Sequence, residues 1–211
     1  MSPASAPAMV EPEWLEPDGL GGFASGTVSG IRSRRYQALL LVATAPPSGR
    51  MALVNGVDAW IETAGEREKG RNGGKGKAAG GEPERIFLSR QRYAPDVIAP
   101  ENPAELESFT HEPWPTWIFR LPNGTRISQE LIVPAGKPAV ALRWRVVGGP
   151  RRGVLVVRPF LSGRHFHSLH HENPAFSFDV ETADGQVRWA PYPGVPAVTA
   201  LSNGAYVHEP V

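Results

Sequence analysis

The chain has 211 residues, of which 41% are hydrophobic, and its 22 basic and 21 acidic residues leave a net charge of +1. Such a balance gives no general field that would draw the protein to nucleic acid or to an anionic membrane. Cysteine is absent, which excludes disulfides and thiolate metal sites. The 23 glycines and 22 prolines are typical of many short strands joined by turns.

The first 12 residues are rich in alanine, proline and serine, which predicts a disordered N-terminal tail. They lack the basic and apolar regions of a secretory signal, and no apolar run approaches the ~18–20 residues of a membrane helix. We therefore expect a cytoplasmic protein whose residues 13–211 form a single β-rich domain.

A glycine-rich stretch follows, from Asp18 to Leu41. Its first glycines resemble those of a phosphate-binding loop, but such a loop opens a helix or carries Gly-Lys-Ser/Thr, and this stretch has neither feature. The glycines instead indicate a strand that turns sharply, or one that another backbone approaches closely.

Turn sequences divide much of the remaining chain into β-like runs. Asn-Gly and Asp-Gly accept positive φ, so they favour tight hairpins. Five hairpins are predicted, with turns at Asn55-Gly56, Pro122-Asn123-Gly124, Gly148-Gly149-Pro150, Asp184-Gly185 and Asn203-Gly204.

Residues 64–84 hold three of the four lysines and many glycines, but no large apolar residue. This composition predicts a flexible surface insertion. A basic arm that contacts phosphate is the alternative.

Trp114 and Trp117 lie in the proline-rich segment 111–117. An exposed indole can stack on the apolar face of a sugar ring, whereas a buried one packs in the core. Pro113 and Pro115 favour an extended loop, which supports exposure of at least one of the two rings.

Apolar and polar residues alternate in two later runs, as they do in strands that bury one face. The pattern predicts an all-β fold, a large antiparallel β-sandwich. Few short helical turns are expected, because Pro or Gly interrupts most windows, and residues 103–108 are the clearest candidate. The apolar positions are Val140, Leu142, Trp144 and Val146 in the first run and Phe176, Phe178 and Val180 in the second, and Arg143 and Arg145 face away from the first set.

Histidines cluster in residues 158–173. His165 and His167 would point to one face of a strand, and His170, His171 and Glu172 follow. Spacing alone allows a metal site, but a polar surface or an interdomain contact accounts for the same residues, and we expect no metal and no cofactor. No carboxylate pair, catalytic triad or Gly-x-Ser-x-Gly elbow marks an active site.

The segment EWLEPDGLGGFASGTVSGIRSRRYQALLLVATAPPSGR, residues 13–50, resembles the N-terminal segment of bacterial and archaeal glycogen debranching enzymes of the amylo-α-1,6-glucosidase type. The later RPFLSGRHFHSLHHENPAFSF is similar to a second segment of that family, so the resemblance spans about residues 13–208. This chain departs from the family pattern in four places: Asp18 replaces Asn, Gln37 and Ala38 replace His-Gly, and His165 replaces Asp.

The resemblance implies a galactose-mutarotase-like supersandwich of the kind found beside (α/α)6 toroids in glycoside hydrolases. In that family the toroid carries the catalytic carboxylates, so this chain alone is expected not to be catalytic. Its expected partners are the catalytic domain and glycogen or another branched α-glucan, which it would help to position. The candidate carbohydrate-binding or interdomain residues are Arg34, Arg35, Tyr36, Trp114, Trp117, Arg164, His165 and His167.

Two alternatives remain open at this point. The chain could be a stand-alone α-glucan-binding module. It could also be a sugar epimerase-like enzyme that uses His165 or His167 as an acid or base.

Overall fold

A computed structural model describes residues 11–45, 48–63, 83–101, 103–169 and 171–209. These residues contain no helix, and the strand pairs are antiparallel, which confirms the prediction of an all-β fold. The expectation of short helical turns is wrong for this part of the chain. The best candidate, residues 103–108, runs instead into a strand, Glu105–Thr110, because Leu106 and Phe109 pack on the core. No described segment is a helix that could cross a membrane.

The strands of the described residues are numbered in chain order. They are β1 (Glu13–Pro17), β2 (Phe23–Thr27), β3 (Leu40–Ala45), β4 (Gly49–Thr63), β5 (Glu84–Phe87), β6 (Gln91–Tyr93), β7 (Val97–Ala99), β8 (Glu105–Thr110), β9 (Thr116–Arg120), β10 (Arg126–Ile132), β11 (Ala141–Gly148), β12 (Val154–His165), β13 (Val180–Ala183), β14 (Gln186–Trp189) and β15 (Val198–Leu201).

These strands form two larger and two smaller sheets. The first sheet has the order β1-β2-β3-β4-β12, and β5 also pairs with β4. The second has the order β11-β10-β9-β8, and the smaller sheets are β13-β14-β15 and β6-β7. The long strand β4 is the axis of the first sheet, since it pairs with β3 near its beginning, with β5 near its end and with β12 along its other edge.

The core lies between the two larger sheets, as in a β-sandwich. Ala59 and Ile61 of β4 share one apolar cluster with Phe119 of β9 and Leu131 of β10. The predicted alternation of β11 is also observed, because Leu142 and Trp144 pack on this core while Arg143 and Arg145 are exposed.

The glycine-rich turn between β1 and β2 serves a close backbone approach, as predicted. The Asp18 carboxylate accepts hydrogen bonds from the amides of Leu20 and Gly22. A Cβ on Gly22 would lie 2.5 Å from the carbonyl oxygen of Leu41. Only glycine therefore allows β3 to pass so close to this turn.

Two of the five predicted hairpins are confirmed. The turn at Pro122-Asn123-Gly124 joins β9 to β10, and Asp184-Gly185 joins β13 to β14. Gly124 and Gly185 both have positive φ, as the turn sequences require.

The other three predicted hairpins are wrong. Strand β4 runs straight through Asn55-Gly56, because β3 and β12 pair with it and keep its backbone extended, and Asn55 lies at a bulge in the β12 pairing. Gly149 lies between β11 and β12, which belong to different sheets. After β15, residues 202–209 form no strand around Asn203-Gly204.

Most of the predicted tail and insertion lies outside the described residues. At the end of the tail, Glu11 and Pro12 accept hydrogen bonds from the amides of Ser29 and Val28. At the end of the insertion, Glu84 already pairs with Thr63 as part of β5. His170 also lies outside the described residues.

Candidate functional site

Two loops meet at one end of the first sheet. One connects β2 to β3, and the other follows the end of β12. Together they present what we call the two-loop surface, formed by Arg35, Tyr36, His165, Phe166 and His167. Four of these five residues, all except Phe166, are candidates from the sequence, and the structure brings together positions about 130 residues apart.

Arg164 binds the two loops to each other. Its Nη2 donates to the carbonyl oxygen of Arg35 at 2.6 Å and its Nη1 to that of Ser168 at 3.0 Å. Its Nε contacts Asn55 Oδ1 at 3.3 Å, which ties both loops to β4. Burial, and then the charge of Arg35, lower the pKa of Arg164 from its ordinary value.

The exposed side of this contact is aromatic. The Tyr36 hydroxyl and His167 Nδ1 are 3.1 Å apart, and Arg35 Nη1 donates to the His167 carbonyl oxygen at 3.1 Å. The Tyr36 ring lies 5.8 Å from the Phe166 ring and is 41% exposed. An aromatic side chain is therefore held in place while it stays partly exposed to solvent.

Gln37 holds the first loop from beneath. Its Oε1 accepts from the amides of Ser33 and Arg34, at 2.7 and 3.2 Å, and its Nε2 donates to Glu13 Oε1. The side chain is buried, so this departure from the family pattern acts inside the loop. Glu13 also forms an ion pair with Arg34 at 2.7 Å, which places Arg34 at the edge of the two-loop surface.

The two histidines lie on the surface, with ring centroids 5.4 Å apart. His165 Nδ1 accepts a hydrogen bond from the His167 amide. Neither ring contacts a carboxylate within the described ranges, where the histidine–carboxylate pair is His111 with Glu16. The same ranges contain no group of three or more His, Asp or Glu that could hold a metal ion.

The two tryptophans lie elsewhere. Trp117 is in the core, 4% exposed, with its Nε1 donating to the carbonyl oxygen of Val28, so it has no free face for a ligand. Trp114 is partly buried before β9, and its Nε1 donates to Glu130 Oε2 at 3.2 Å. Core packing therefore accounts for Trp117, and Trp114 belongs to a different polar cluster.

That cluster is centred on Glu130 of β10, which is 3% exposed. Arg143 donates to Glu130 Oε2, and Arg145 Nη2 donates to Oε1 at 2.7 Å. Sequence reasoning placed both arginines on the outer face of β11 but did not select the carboxylate. No local pattern marks Glu130, because only the pairing of β10 with β11 in the folded chain sets it opposite Arg143.

A cavity of about 100 Å³ lies between the sheets beside Arg32, Asn55 and Gln91. It is smaller than the cavity of about 150 Å³ that takes up benzene in another protein, and a glucose ring with its hydroxyls is larger than benzene. This cavity is therefore too small to take up a glucose unit.

We expect the substitution Arg164→Lys to loosen the two loops. A lysine ammonium cannot reproduce the planar set of donors that reaches the carbonyls of both loops. Amide hydrogen exchange in residues 33–37 and 166–168 should become about tenfold faster, which corresponds to losing one or two hydrogen bonds. The control is Arg188→Lys, since Arg188 forms an exposed ion pair with Glu181 in the small sheet. Unchanged exchange in both loops would contradict the role given to Arg164.

The fold and this site define an all-β domain of two facing antiparallel sheets, with cationic and aromatic side chains held on two loops. The chain belongs to the family of glycogen debranching enzyme N-terminal domains, because the family model "Glycogen debranching enzyme N terminal" matches residues 12–69 and 81–211. The resemblance found in the sequence is thereby confirmed, and the unmatched residues 70–80 fall inside the predicted insertion. No curated protein and no solved structure matches the chain.

Proposed function

We propose that this domain packs on the catalytic α-1,6-glucosidase toroid of a cytoplasmic debranching enzyme and helps to position branched α-glucan during glycogen breakdown. The observation that supports this function best is the two-loop surface. It combines an exposed aromatic ring with polar groups whose positions are held by Arg35 and Arg164.

The chemistry of this surface suits a sugar. Tyr36 offers a flat ring for the apolar face of a glucose unit. Its hydroxyl and the ring nitrogens of His165 and His167 can each donate or accept a hydrogen bond, as sugar hydroxyls require. Because the loops are already bound to each other, little side-chain freedom is lost when a glucan binds.

Trp114 is a second candidate contact. It is partly exposed, and Glu130 fixes the position of its indole. It is not among the residues joined at the two-loop surface, so it would contact a different part of a branched chain or the toroid. Trp117 is not included in the proposed site, since its ring is buried.

We expect Tyr36→Ala to weaken binding of a maltooligosaccharide about tenfold, because the stacking ring and its hydroxyl are both lost. Isothermal titration of the chain with maltoheptaose measures this effect. Tyr93→Ala is the matched control, since Tyr93 is 51% exposed and lies on β6. Equal affinities for wild type and Tyr36→Ala would contradict the glucan contact, and a wild-type chain that binds no glucan would retain only the packing role.

The same titration bears on the stand-alone module. Such a module binds glucan tightly without a catalytic domain, whereas a domain that only completes a larger site binds weakly or not at all. The epimerase-like alternative gains no support from the geometry, since neither His165 nor His167 contacts a carboxylate of the described residues.

A further inference from the structure

The described residues include 16 arginines. Nine of them lie within 4.0 Å of a carboxylate oxygen. Seven have no such partner within the described ranges. Three of these, Arg90, Arg151 and Arg152, lie before β6 and between β11 and β12. The other four lie at or next to the two-loop surface. These four, which we call the unpaired arginine cluster, are Arg32, Arg35, Arg50 and Arg164.

Each of these arginines is held by neutral groups. Arg50 Nε donates to the carbonyl oxygen of Gly21 at 2.7 Å, and its guanidinium lies 5.6 Å from the centre of the Phe166 ring. Arg32 lies 5.6 Å from the centre of the Phe160 ring and contacts Gln91 Oε1 at 3.4 Å. These contacts fix the positions of the guanidinium groups but do not neutralise them.

The charge of Arg164 is also close enough to those of Arg32 and Arg35 for the charges to act on one another. Burial, and then the charge of Arg164, lower the pKa of Arg32, although Asp58 opposes this effect. Arg164 in turn donates to the Arg35 carbonyl and responds to the Arg35 charge. Like charges held together cost free energy in the isolated domain, and an anionic partner would remove that cost.

We propose that the unpaired arginine cluster docks carboxylate side chains on the surface of the catalytic domain of the debranching enzyme. This inference rests on the proposed packing function and names the chemistry of the partner surface. Guanidinium groups offer donors only, and they match carboxylates in bidentate geometry, whereas a neutral sugar needs acceptors as well.

The spread of the cluster favours a protein surface over a single small anion. The four residues belong to the β2–β3 loop, the beginning of β4 and the end of β12. All three guanidinium nitrogens of Arg164 already donate to carbonyl and amide oxygens, so contact with a partner falls mainly to the exposed Arg35 and the partly exposed Arg50. Several carboxylates on a facing surface fit this arrangement.

The experiment is a titration of the chain with hexaglutamate, followed by fluorescence anisotropy of the labelled peptide. We expect binding that weakens as salt is raised to about 0.5 M, because screening shortens the reach of surface charges. The double variant Arg35→Gln/Arg50→Gln should lose about fivefold or more in affinity, since each partly exposed pair contributes up to about 1 kcal/mol. The matched control is Arg120→Gln/Arg188→Gln, which removes two arginines that already have carboxylate partners.

Three outcomes would overturn the inference. They are no binding of hexaglutamate, equal losses in both double variants, and binding of inorganic phosphate in place of the peptide. Circular dichroism of both double variants identifies any loss of folding. If a double variant is unfolded, the affinity of the folded single variant Arg35→Gln for hexaglutamate is measured instead. Maltoheptaose binding separates the two proposals, since glucan binding without hexaglutamate binding rejects the docking chemistry and leaves the proposed function in place.

Discussion

Replacing Trp117 by alanine is expected to lower the free energy of unfolding by about 3–5 kcal/mol. The ring lies between Trp14 and Phe109, at centroid distances of 5.5 and 5.1 Å, and is 4% exposed. The substitution leaves a cavity between the two sheets and also removes the hydrogen bond to the carbonyl oxygen of Val28. Domains of this size are stable by about 5–15 kcal/mol, so the loss is a large share of the total.

Equilibrium unfolding in urea, followed by circular dichroism, measures this loss. Leu201→Ala is the control, because Leu201 is 75% exposed and its truncation should change stability by no more than about 0.5 kcal/mol. A loss below about 1 kcal/mol for Trp117→Ala would mean that the core does not depend on this ring. It would also indicate that Trp117 is an exposed residue that could contact a ligand.

The second large effect is expected at Glu130, where Glu130→Gln should lower the free energy of unfolding by about 2–3 kcal/mol. The buried carboxylate accepts charge-assisted hydrogen bonds from Arg143 and Arg145 and a further bond from Trp114. A glutamine keeps one acceptor oxygen but turns an amide donor toward the other arginine. The matched control is Glu105→Gln, because Glu105 pairs with Arg120 on the exposed surface, where such pairs contribute about 0–1 kcal/mol.

The same carboxylate should make stability depend on pH. Burial alone would raise the pKa of Glu130, but hydrogen bonds from Arg143, Arg145 and Trp114 outweigh it and the pKa is lowered from its ordinary value of 4.5. A carboxyl with a lowered folded-state pKa adds stability that is fully present above the unfolded value and is lost as pH falls through the folded value.

Urea unfolding at a series of pH values from about 7 to about 3 tests this sign. The wild type should lose more stability than Glu130→Gln as the pH falls, because the variant has no carboxyl to protonate at this position. If the free energy of unfolding falls equally with pH in both proteins, the hydrogen bonds from the arginines do not lower the pKa of Glu130.

The all-β class could be predicted because its causes are local. Successive side chains of a strand point to opposite faces, so the alternation of apolar and polar residues in β11 predicts which face is buried. Leu142 and Trp144 lie on the predicted face. The Asp184-Gly185 hairpin was likewise predicted correctly, since a two-residue turn depends on the φ values of its own residues.

The errors arose where distant strands compete with local turn preferences. Asn55-Gly56 has a strong turn sequence, yet β3 and β12 pair with the backbone around it and keep it in a strand. The helical turn expected at residues 103–108 was replaced by β8 for the same reason, because pairing with β9 and burial of Leu106 outweigh local propensity.

The sequence by itself determined the all-β class, the family and most of the residues at the two-loop surface, because those depend on local patterns and on a long characteristic segment. Only the tertiary structure decided which of these residues meet. Tyr36 and His167 are 131 positions apart in the sequence but lie within hydrogen-bond distance in the fold. Glu130 lies opposite Arg143 in the pairing of β10 with β11. Burial is likewise a property of the packed sheets, which is why Trp117 lies in the core and Tyr36 faces solvent.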